Sequence, residues 1–398
     1  MERIVIKQSS SSFFMDSGDS STHALIAKEL LRIIEEDDCL NELAFCAKWE
    51  TYEDILGRNY DRTKVMEIDR DVNEFVCVSE NKMALNYECL VDLLKHVYEE
   101  IRRNENKKEK IVVLLCLLCG DSLTGWNARK RSVIIMKDEN DNENNNNKRE
   151  HVDESTLKKE LQFAEFVLTK WPKSTAAFAH RRWAFRKHFF PIECDDEDEE
   201  RRKMSFYERE IKVCEETSRM KPSNYASWTH RLFALETLLL SSSKNALVNI
   251  ERAKDVLQKL EKTISASDPS AWHFRRAVIQ SIGNRVNDCD VCKERFVSLA
   301  RDEFRVLREK IAAYRGRESL WHHRKTMFAY VKKHSHQYAD FIDIITEERE
   351  FANRKVVQLN NENEAQKNTE WATYADADEA KFAHRYCVSI SINISSSH

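Results

Sequence analysis

The sequence predicts an all-α fold, an alpha-alpha superhelix (solenoid) of helical hairpins, on three observations. An aromatic residue followed three positions later by arginine occurs six times, with 44 to 61 residues from one aromatic to the next. Only 6 glycines and 4 prolines occur in 398 residues, which leaves few turn residues for a sheet-rich fold. A hydrophobic fraction of 41% beside 33% charged residues suits amphipathic helices with one wet face.

The six motif copies each place an aromatic residue and an arginine on one helix face, because residues three apart are neighbours there. The pairs are Trp126/Arg129, Phe178/Arg181, Trp228/Arg231, Trp272/Arg275, Trp321/Arg324 and Phe382/Arg385. The interval fits one helical hairpin per copy and does not fit the tetratricopeptide period of about 34 residues. We interpret the aromatic as a packing anchor, and the arginine as a partner for a carboxylate or helix-end carbonyls of the next hairpin.

Helix-capping residues predict where the second helix of each hairpin begins. The positions four residues before the aromatics are Ser122, Ser174, Asn224, Asp268, Arg317 and Asp378. Five of these six residues are good N-cap residues, whose side chains can accept hydrogen bonds from first-turn amides. Pro269 adds a proline at a first helical position.

Three segments are predicted along the chain. Residues 1–80 form an N-terminal segment that is partly mobile and partly helical, with apolar spacing between residues 22 and 49 that indicates one or two helices. Residues 50–80 are unassigned, and a clear amphipathic helix is predicted from Leu85 to Ile101. Residues 81–388 form the repeat array with its six motif copies. Residues 389–398 are a serine-rich tail that is predicted to fray.

Composition argues against several classes of partner and compartment. A net charge of −4 gives no basic bias that would favour nucleic acid. The longest apolar run, Ile111 to Cys119, is too short to span a bilayer, so no transmembrane segment is expected. The N-terminus does not read as a signal peptide. The 11 cysteines are an odd number scattered among helical patterns, which indicates reduced thiols and a cytoplasmic protein.

Histidine and cysteine patterns do not predict a metal site in this chain. The histidines next to the motif arginines occur at the same position in four of the six copies, which repeat packing explains better than convergent ligands. They are His180, His230, His323 and His384. Cys289 and Cys292 form a CxxC pair, but the other pair, Cys116 and Cys119, lies far away in an apolar helix.

Two motif copies carry a family resemblance. Residues 172–183 read Pro-Lys-Ser-Thr-Ala-Ala-Phe-Ala-His-Arg-Arg-Trp, and residues 222–231 read Pro-Ser-Asn-Tyr-Ala-Ser-Trp-Thr-His-Arg. They resemble the repeat of the protein prenyltransferase α-subunit family, in which Pro-Lys-Asn-Tyr precedes Trp-x-His-Arg-Arg on the second helix of a hairpin. The resemblance covers about residues 80–388 and implies the fold type of those α subunits.

The resemblance implies the α subunit of a heterodimeric protein geranylgeranyltransferase, inactive without its β subunit. The implied partner is a β subunit of the Rab geranylgeranyltransferase type, which would hold the zinc, so that no cofactor is expected in this chain. Geranylgeranyl diphosphate would bind at the shared site, and the acceptors would be C-terminal cysteines of trafficking proteins such as Rab GTPases or SNAREs. The alternative is a non-catalytic helical-repeat scaffold that binds protein partners in vesicle trafficking.

By the same resemblance, Lys173 is the expected contact to the isoprenoid diphosphate, and Asn224 and Tyr225 are expected beside the substrate. An ammonium at Lys173 could neutralise charge that develops on the leaving diphosphate; the alternative is a solvated lysine ahead of a helix cap. Two departures from the family pattern stand out. Ser174 and Thr175 replace Asn-Tyr after Lys173, and Phe274 replaces the histidine before Arg275.

Overall fold

The structure is a computed structural model that describes residues 20–36, 40–46, 75–79, 81–103, 108–138, 152–189, 197–241, 245–286, 289–366 and 374–392. The described chain is dominated by helices, and the predicted all-α helical-repeat fold is confirmed. The chain divides into two compact units, one of residues 1–194 with 215–221 and one of residues 195–214 with 222–398.

The first unit contains six helices among its described residues. They are α1 (Ser20–Glu36), α2 (Tyr87–Arg103), α3 (Lys108–Leu118), α4 (Leu123–Asp138), α5 (Glu154–Lys170) and α6 (Thr175–Phe189). Helices α3 and α4 pack together as one hairpin, α5 and α6 as the next, and α4 also packs against α6. The second helices, α4 and α6, carry the first two motif copies.

A small three-stranded sheet in the first unit was not predicted. Strands β1 (Glu42–Cys46), β2 (Val76–Ser79) and β3 (Lys82–Asn86) have the order β1-β3-β2, with β1 parallel and β2 antiparallel to β3. The helix predicted up to residue 49 is therefore wrong at Glu42–Cys46, which form β1. The helix predicted from Leu85 begins instead at Tyr87, where the Asn86 side chain accepts from the amide of Glu88 at 2.9 Å.

The sheet packs on α5 through β1. The Leu43 amide donates to Thr169 Oγ1 at 2.8 Å, and the rings of Phe45 and Trp171 meet edge to face at 5.8 Å. The sheet spans the predicted boundary at residue 80, because β1 and β2 precede it and β3 follows it, so the N-terminal segment and the start of the repeat array share one sheet in the described residues.

Helix α7 (Glu197–Met220) contributes residues up to Cys214 to the second unit and its last turns to the first. The second unit continues with α8 (Tyr225–Ala234), which runs into a π-helical turn, Leu235–Leu239. The remaining helices are α9 (Ala246–Glu261), α10 (Pro269–Gly283), α11 (Asp290–Ala313), α12 (Glu318–Lys333), α13 (Phe341–Gln366) and α14 (Tyr374–Ile392).

The second unit is built of repeating helical hairpins. Helices α9 and α10, α11 and α12, and α13 and α14 pack in pairs, while α8, α10, α12 and α14 pack in series as the motif-bearing helices. Asn224 and Asp268 cap α8 and α10 through their side chains. Ser174 likewise accepts from the Ala177 amide at the start of α6 at 2.9 Å, and Ser122 from the Gly125 amide at 3.2 Å.

The last hairpin differs from its prediction. Asp378 lies inside α14, which begins at Tyr374, so Asp378 is not an N-cap. Helix α14 also continues through Ile392 with Ile390 buried, so the first residues of the predicted frayed tail are helical. Residues 393–398 lie outside the described residues, as does most of the N-terminal segment predicted to be mobile. In the described part of the chain, no helix has the length and apolarity to cross a membrane.

Candidate functional site

A buried carboxylate organises the second motif copy in the first unit. Both Glu160 oxygens accept from Arg129, at 2.7 and 2.8 Å, and His180 Nε2 lies 2.7 Å from Glu160 Oε2. Burial alone would raise the pKa of Glu160, but the charge of Arg129 and the hydrogen bond from His180 outweigh it and lower the pKa to about 2. Burial lowers the pKa of His180, so its neutral ring donates to the carboxylate.

The same arrangement recurs around Glu303 in the second unit. Arg275 donates to both Glu303 oxygens, at 2.8 and 2.5 Å, and His323 Nε2 lies 2.8 Å from Oε1. Arg275 also donates from Nη1 to the carbonyl of Leu257 at 2.7 Å. Burial opposes the charge on Glu303, but Arg275 and His323 prevail and hold its pKa well below the usual range. A bidentate arginine and a histidine thus tie two successive motif helices to one carboxylate.

Two further carboxylates follow the pattern in the second unit. His230 Nε2 lies 2.6 Å from Glu210 Oε2, with both side chains fully buried. In the last hairpin Glu348 is paired with Arg324 at 2.5 Å, and the hydroxyl of Tyr386 donates to it at 2.9 Å. Tyr386 therefore makes the contact with the carboxylate that histidine makes in the second, third and fifth copies.

In the fourth copy, two apolar residues stand where the second copy has its buried carboxylate and histidine. Arg181 donates to the Leu161 carbonyl as Arg275 donates to that of Leu257, which makes these two leucines equivalent. The residue before Leu161 is Glu160, but the residue before Leu257 is Val256. Because Phe274 stands where the second, third, fifth and sixth copies have histidine, carboxylate and histidine are absent together from the fourth copy.

The predicted packing residues are buried in five copies. Trp126, Phe178, Arg181, Trp228, Arg231, Trp272, Arg275, Trp321 and Arg324 are buried, and Arg129 is largely so. The indole N–H groups also find acceptors, such as the Gly120 carbonyl for Trp126 at 2.7 Å and Asp268 for Trp228 at 3.3 Å. These residues hold the hairpins together and leave little of their surface for a ligand.

The sixth copy corrects the predicted packing pair. Phe382 is half-buried and Arg385 is exposed, whereas Ala383 and Tyr386, one residue further along, are buried. Glu379 accepts from the Trp321 indole at 3.0 Å and lies four residues before Ala383. Asp268 accepts from Trp228 and lies four residues before Trp272, so the buried register of α14 is shifted by one residue.

Lys173 lies exposed in the turn between α5 and α6. The two residues after it, which replace the family's Asn-Tyr, are tied to the preceding hairpin. Ser174 Oγ donates to the Gly120 carbonyl at 2.7 Å. Asp121 accepts from the Ala176 amide at 3.1 Å and from Thr175 Oγ1 at 3.3 Å. A carboxylate therefore occupies the N-terminus of α6, where a diphosphate would otherwise find amide donors.

Asn224 and Tyr225 have different surroundings although they are adjacent. Asn224 is fully buried, and its side chain caps α8 by accepting from the Ser227 amide at 3.2 Å. Tyr225 is 59% exposed, and its ring lies 5.9 Å from that of His273 on α10. Of this predicted pair, only Tyr225 presents a large surface to a ligand or partner.

Tyr225 borders a cleft of about 630 Å³ within the second unit. The cleft is formed at the starts of α8, α10 and α12 and includes His273, Arg276, Arg317 and His322. Gly316, whose positive φ of 70° suits glycine, makes the turn that brings α12 to this cleft. Lys173 belongs to the first unit and is not among the lining residues.

Metal ligands and cysteines give no second candidate site in the described residues. No group of three or more histidine, cysteine, aspartate or glutamate side chains there could hold a metal ion, and no described cysteine is in a disulfide. Cys289 is exposed at the start of α11, and hydrogen bonding from the backbone and side chain of Cys292 lowers its pKa. Burial raises the pKa of Cys116 to about 12, so that thiol is inert.

Sequence reasoning missed the carboxylates and the cleft residues. One signal was present: Glu160, Glu210 and Glu303 each stand 20 residues before their histidines. The cleft residues His273 and Arg276 directly follow the motif residues Trp272 and Arg275, so the motif alone did not distinguish them from packing residues.

Comparison with known proteins identifies the repeat. Residues 207–238 match the protein prenyltransferase alpha subunit repeat, and this range covers the second half of α7, all of α8 and most of the π-helical turn. The chain carries a protein prenyltransferase alpha subunit repeat. The resemblance drawn from the motif copies is confirmed.

Relatives extend the similarity along the chain. Protein prenyltransferase alpha subunit repeat-containing protein 1-B of Xenopus laevis is 25% identical over 303 residues, 64% of each chain. The human protein prenyltransferase alpha subunit repeat-containing protein 1 is 24% identical over 312 residues, 65% of this chain and 69% of its own. Geranylgeranyl transferase type-2 subunit alpha of Candida albicans is 23% identical over 194 residues, 47% of each chain. The chain thus spans about 64% of the length of the Xenopus relatives.

Proposed function

We propose that the chain is the α subunit of a heterodimeric protein geranylgeranyltransferase and acts in the cytoplasm. The observation that carries this proposal is the contrast between buried and exposed residues in the second and third motif copies. Their aromatic residues and arginines are buried, while Lys173, in the turn before α6, and Tyr225, the first residue of α8, stay exposed. The similarity to a geranylgeranyl transferase type-2 α subunit supports the choice of isoprenoid.

In this proposal the β subunit, of the Rab geranylgeranyltransferase type, supplies the zinc and the isoprenoid pocket. The acceptor is a C-terminal cysteine of a Rab GTPase or SNARE. Its sulfur forms a bond to the isoprenoid as the carbon–oxygen bond to diphosphate breaks, and the thiol proton is released. The Lys173 ammonium neutralises charge that builds on the departing diphosphate. Tyr225 lies at the substrate edge, and Asn224 positions it by capping α8.

The experiment is co-expression with a geranylgeranyltransferase β subunit, purification, and transfer from geranylgeranyl diphosphate to a Cys-terminated acceptor. A stable complex that transfers the isoprenoid is expected, with turnover reduced about tenfold or more by Lys173→Ala. Lys159→Ala, a change at an exposed lysine on α5, is the matched control and should leave turnover unchanged.

Failure of any β subunit to co-purify contradicts the enzyme proposal itself. A complex in which Lys173→Ala transfers normally removes the role of Lys173 but keeps the subunit role.

A second candidate is a non-catalytic scaffold that binds proteins of vesicle trafficking. The Asp121 carboxylate at the N-terminus of α6 favours it, because a negative charge there repels a diphosphate held by Lys173. A complex that forms but transfers no isoprenoid would decide for this candidate.

A further inference from the structure

The cleft bordered by Tyr225 has a cationic lining. Arg276 and Arg317 contribute two guanidinium groups, and Glu318 contributes one carboxylate. His273 and His322 add imidazole groups, and three serine side chains add hydroxyls from the turn before α10 and from the first turns of α10 and α12. Such a wall offers many hydrogen-bond donors and an excess of positive charge.

Arg276 is half-buried in this cleft without a counter-charge. No carboxylate in the described ranges pairs with it, and its Nη2 donates instead to Nδ1 of His273 at 2.7 Å. Burial lowers the pKa of Arg276, the sign of a partly desolvated cation. A guanidinium in that state is stabilised by an anion that brings oxygen acceptors into the cleft.

The hydrogen bond to Arg276 also fixes the tautomer of His273. Because Nδ1 of His273 accepts, its neutral ring carries the proton on Nε2, which becomes a second donor. Burial, followed by the charge of Arg276, lowers the pKa of His273 and keeps the ring neutral.

His323 lies in the wall of the same cleft and is only 2% exposed. Its Nε2 donates to Glu303, and its Nδ1 is buried with no hydrogen-bond partner among the described residues, as is Nδ1 of His180 in the second copy. The unpartnered Nδ1 is therefore a feature of the repeat, and the proposal for this cleft depends on Arg276 and His273.

We propose that this cleft is a binding site for a phosphate group, with Arg276 as the principal cation and His273 as a second donor. The phosphate-binding role goes beyond the proposed prenyl transfer, because it uses neither Lys173 nor a partner chain, although Tyr225 borders both sites. The phosphate could be inorganic or carried on a lipid diphosphate, and the chemistry recognised is the same.

Calorimetric titration of the full-length chain with inorganic phosphate, inorganic diphosphate and geranylgeranyl diphosphate tests the proposal. Arg276→Gln should weaken binding by about tenfold, because a charge-assisted hydrogen bond is lost. His273→Ala removes an exposed side chain and should weaken binding by about threefold. Lys325→Gln is the matched control, since Lys325 holds the position of Arg276 in the next copy, is exposed and lies outside the cleft.

Saturable binding that Arg276→Gln weakens and Lys325→Gln does not supports the site. Equal affinity for inorganic and geranylgeranyl diphosphate shows recognition of the phosphates alone, and tighter binding of the lipid shows that its chain also contributes. Three results overturn the proposal: no saturable binding of any of the three probes, unchanged binding in Arg276→Gln, or an equal loss in Lys325→Gln.

Discussion

Arg275 and Arg276 are neighbours in the chain but have opposite surroundings. Arg275 is buried, forms two hydrogen bonds with Glu303 and a third with the Leu257 carbonyl. Arg276 is half-buried in the cleft and is bonded to His273 rather than to a carboxylate. The double basic residue of the repeat therefore splits into one arginine that holds hairpins together and one that faces outward. The motif alone does not separate these two roles.

The fourth and fifth copies show a second contrast, between an apolar and a hydrogen-bonded pair of buried side chains. The fifth copy connects its helices through Glu303 and His323, while the fourth has Val256 and Phe274 at the corresponding positions. Phe274 packs against Trp228 with their ring centroids 5.4 Å apart. A hydrogen-bonded pair and an apolar pair thus serve the same hairpin geometry, provided that both members change together.

The largest effect is expected when the carboxylate is neutralised in the fifth copy. Glu303→Gln leaves Arg275 buried without its counter-charge and should reduce the free energy of unfolding by about 3–5 kcal/mol. Urea denaturation followed by tryptophan fluorescence measures the loss. Glu309→Gln, on the same helix but in an exposed pair with Arg305, is the control and should cost less than about 1 kcal/mol. Equal losses in the two variants would refute the role of Glu303.

In the fourth copy, the apolar pair can be replaced by a histidine and a carboxylate. Phe274→His places an imidazole among apolar neighbours and should cost about 1–3 kcal/mol. Adding Val256→Glu supplies the partner, so the double variant should be more stable than the sum of the two single losses predicts. Additivity of the two substitutions within about 0.5 kcal/mol would show that these positions do not form the pair.

Lowering the pH should destabilise, in two steps, the motif copies that contain a buried carboxylate and histidine. Burial lowers the pKa values of His180 and His323 below 6.5, so the unfolded chain binds protons first and stability declines as pH falls below 6.5. The depressed pKa of Glu160, about 2 against 4.5, adds a second loss as pH falls from 4.5 towards 2. Urea midpoints measured from pH 7.5 to pH 3 should decrease throughout. A midpoint that rises on acidification would contradict these assignments.

The smallest effect is expected in the sixth copy. Tyr386→Phe removes the hydroxyl that donates to Glu348 and should cost about 1 kcal/mol. Arg385→Ala, at the exposed motif arginine, should change stability by less than about 0.5 kcal/mol. Thermal unfolding distinguishes the shifted register from the predicted one, in which Arg385→Ala would be the more damaging substitution.

The repeat could be predicted from sequence because its signals are local. An aromatic and an arginine three apart, with a cap four residues earlier, specify one helix start and one buried face in the first four copies, and the fifth has the same face without a capping side chain at Arg317. The sixth copy carries the same local signal, but α14 begins before Asp378, and packing sets its register instead. The five-residue strand β1 was mistaken for helix because a short apolar pattern fits both periods. The carboxylates were missed because each meets its histidine 20 residues away, across a turn.

The central claim is that Arg275 holds the fold and Arg276 is available for a ligand. The unfolding free energies of Arg275→Gln and Arg276→Gln, measured side by side in urea, test it most directly. We expect Arg275→Gln to lose about 3–5 kcal/mol and Arg276→Gln to stay within about 0.5 kcal/mol of the parent chain. A loss for Arg276→Gln as large as that for Arg275→Gln would contradict the claim and make both arginines structural.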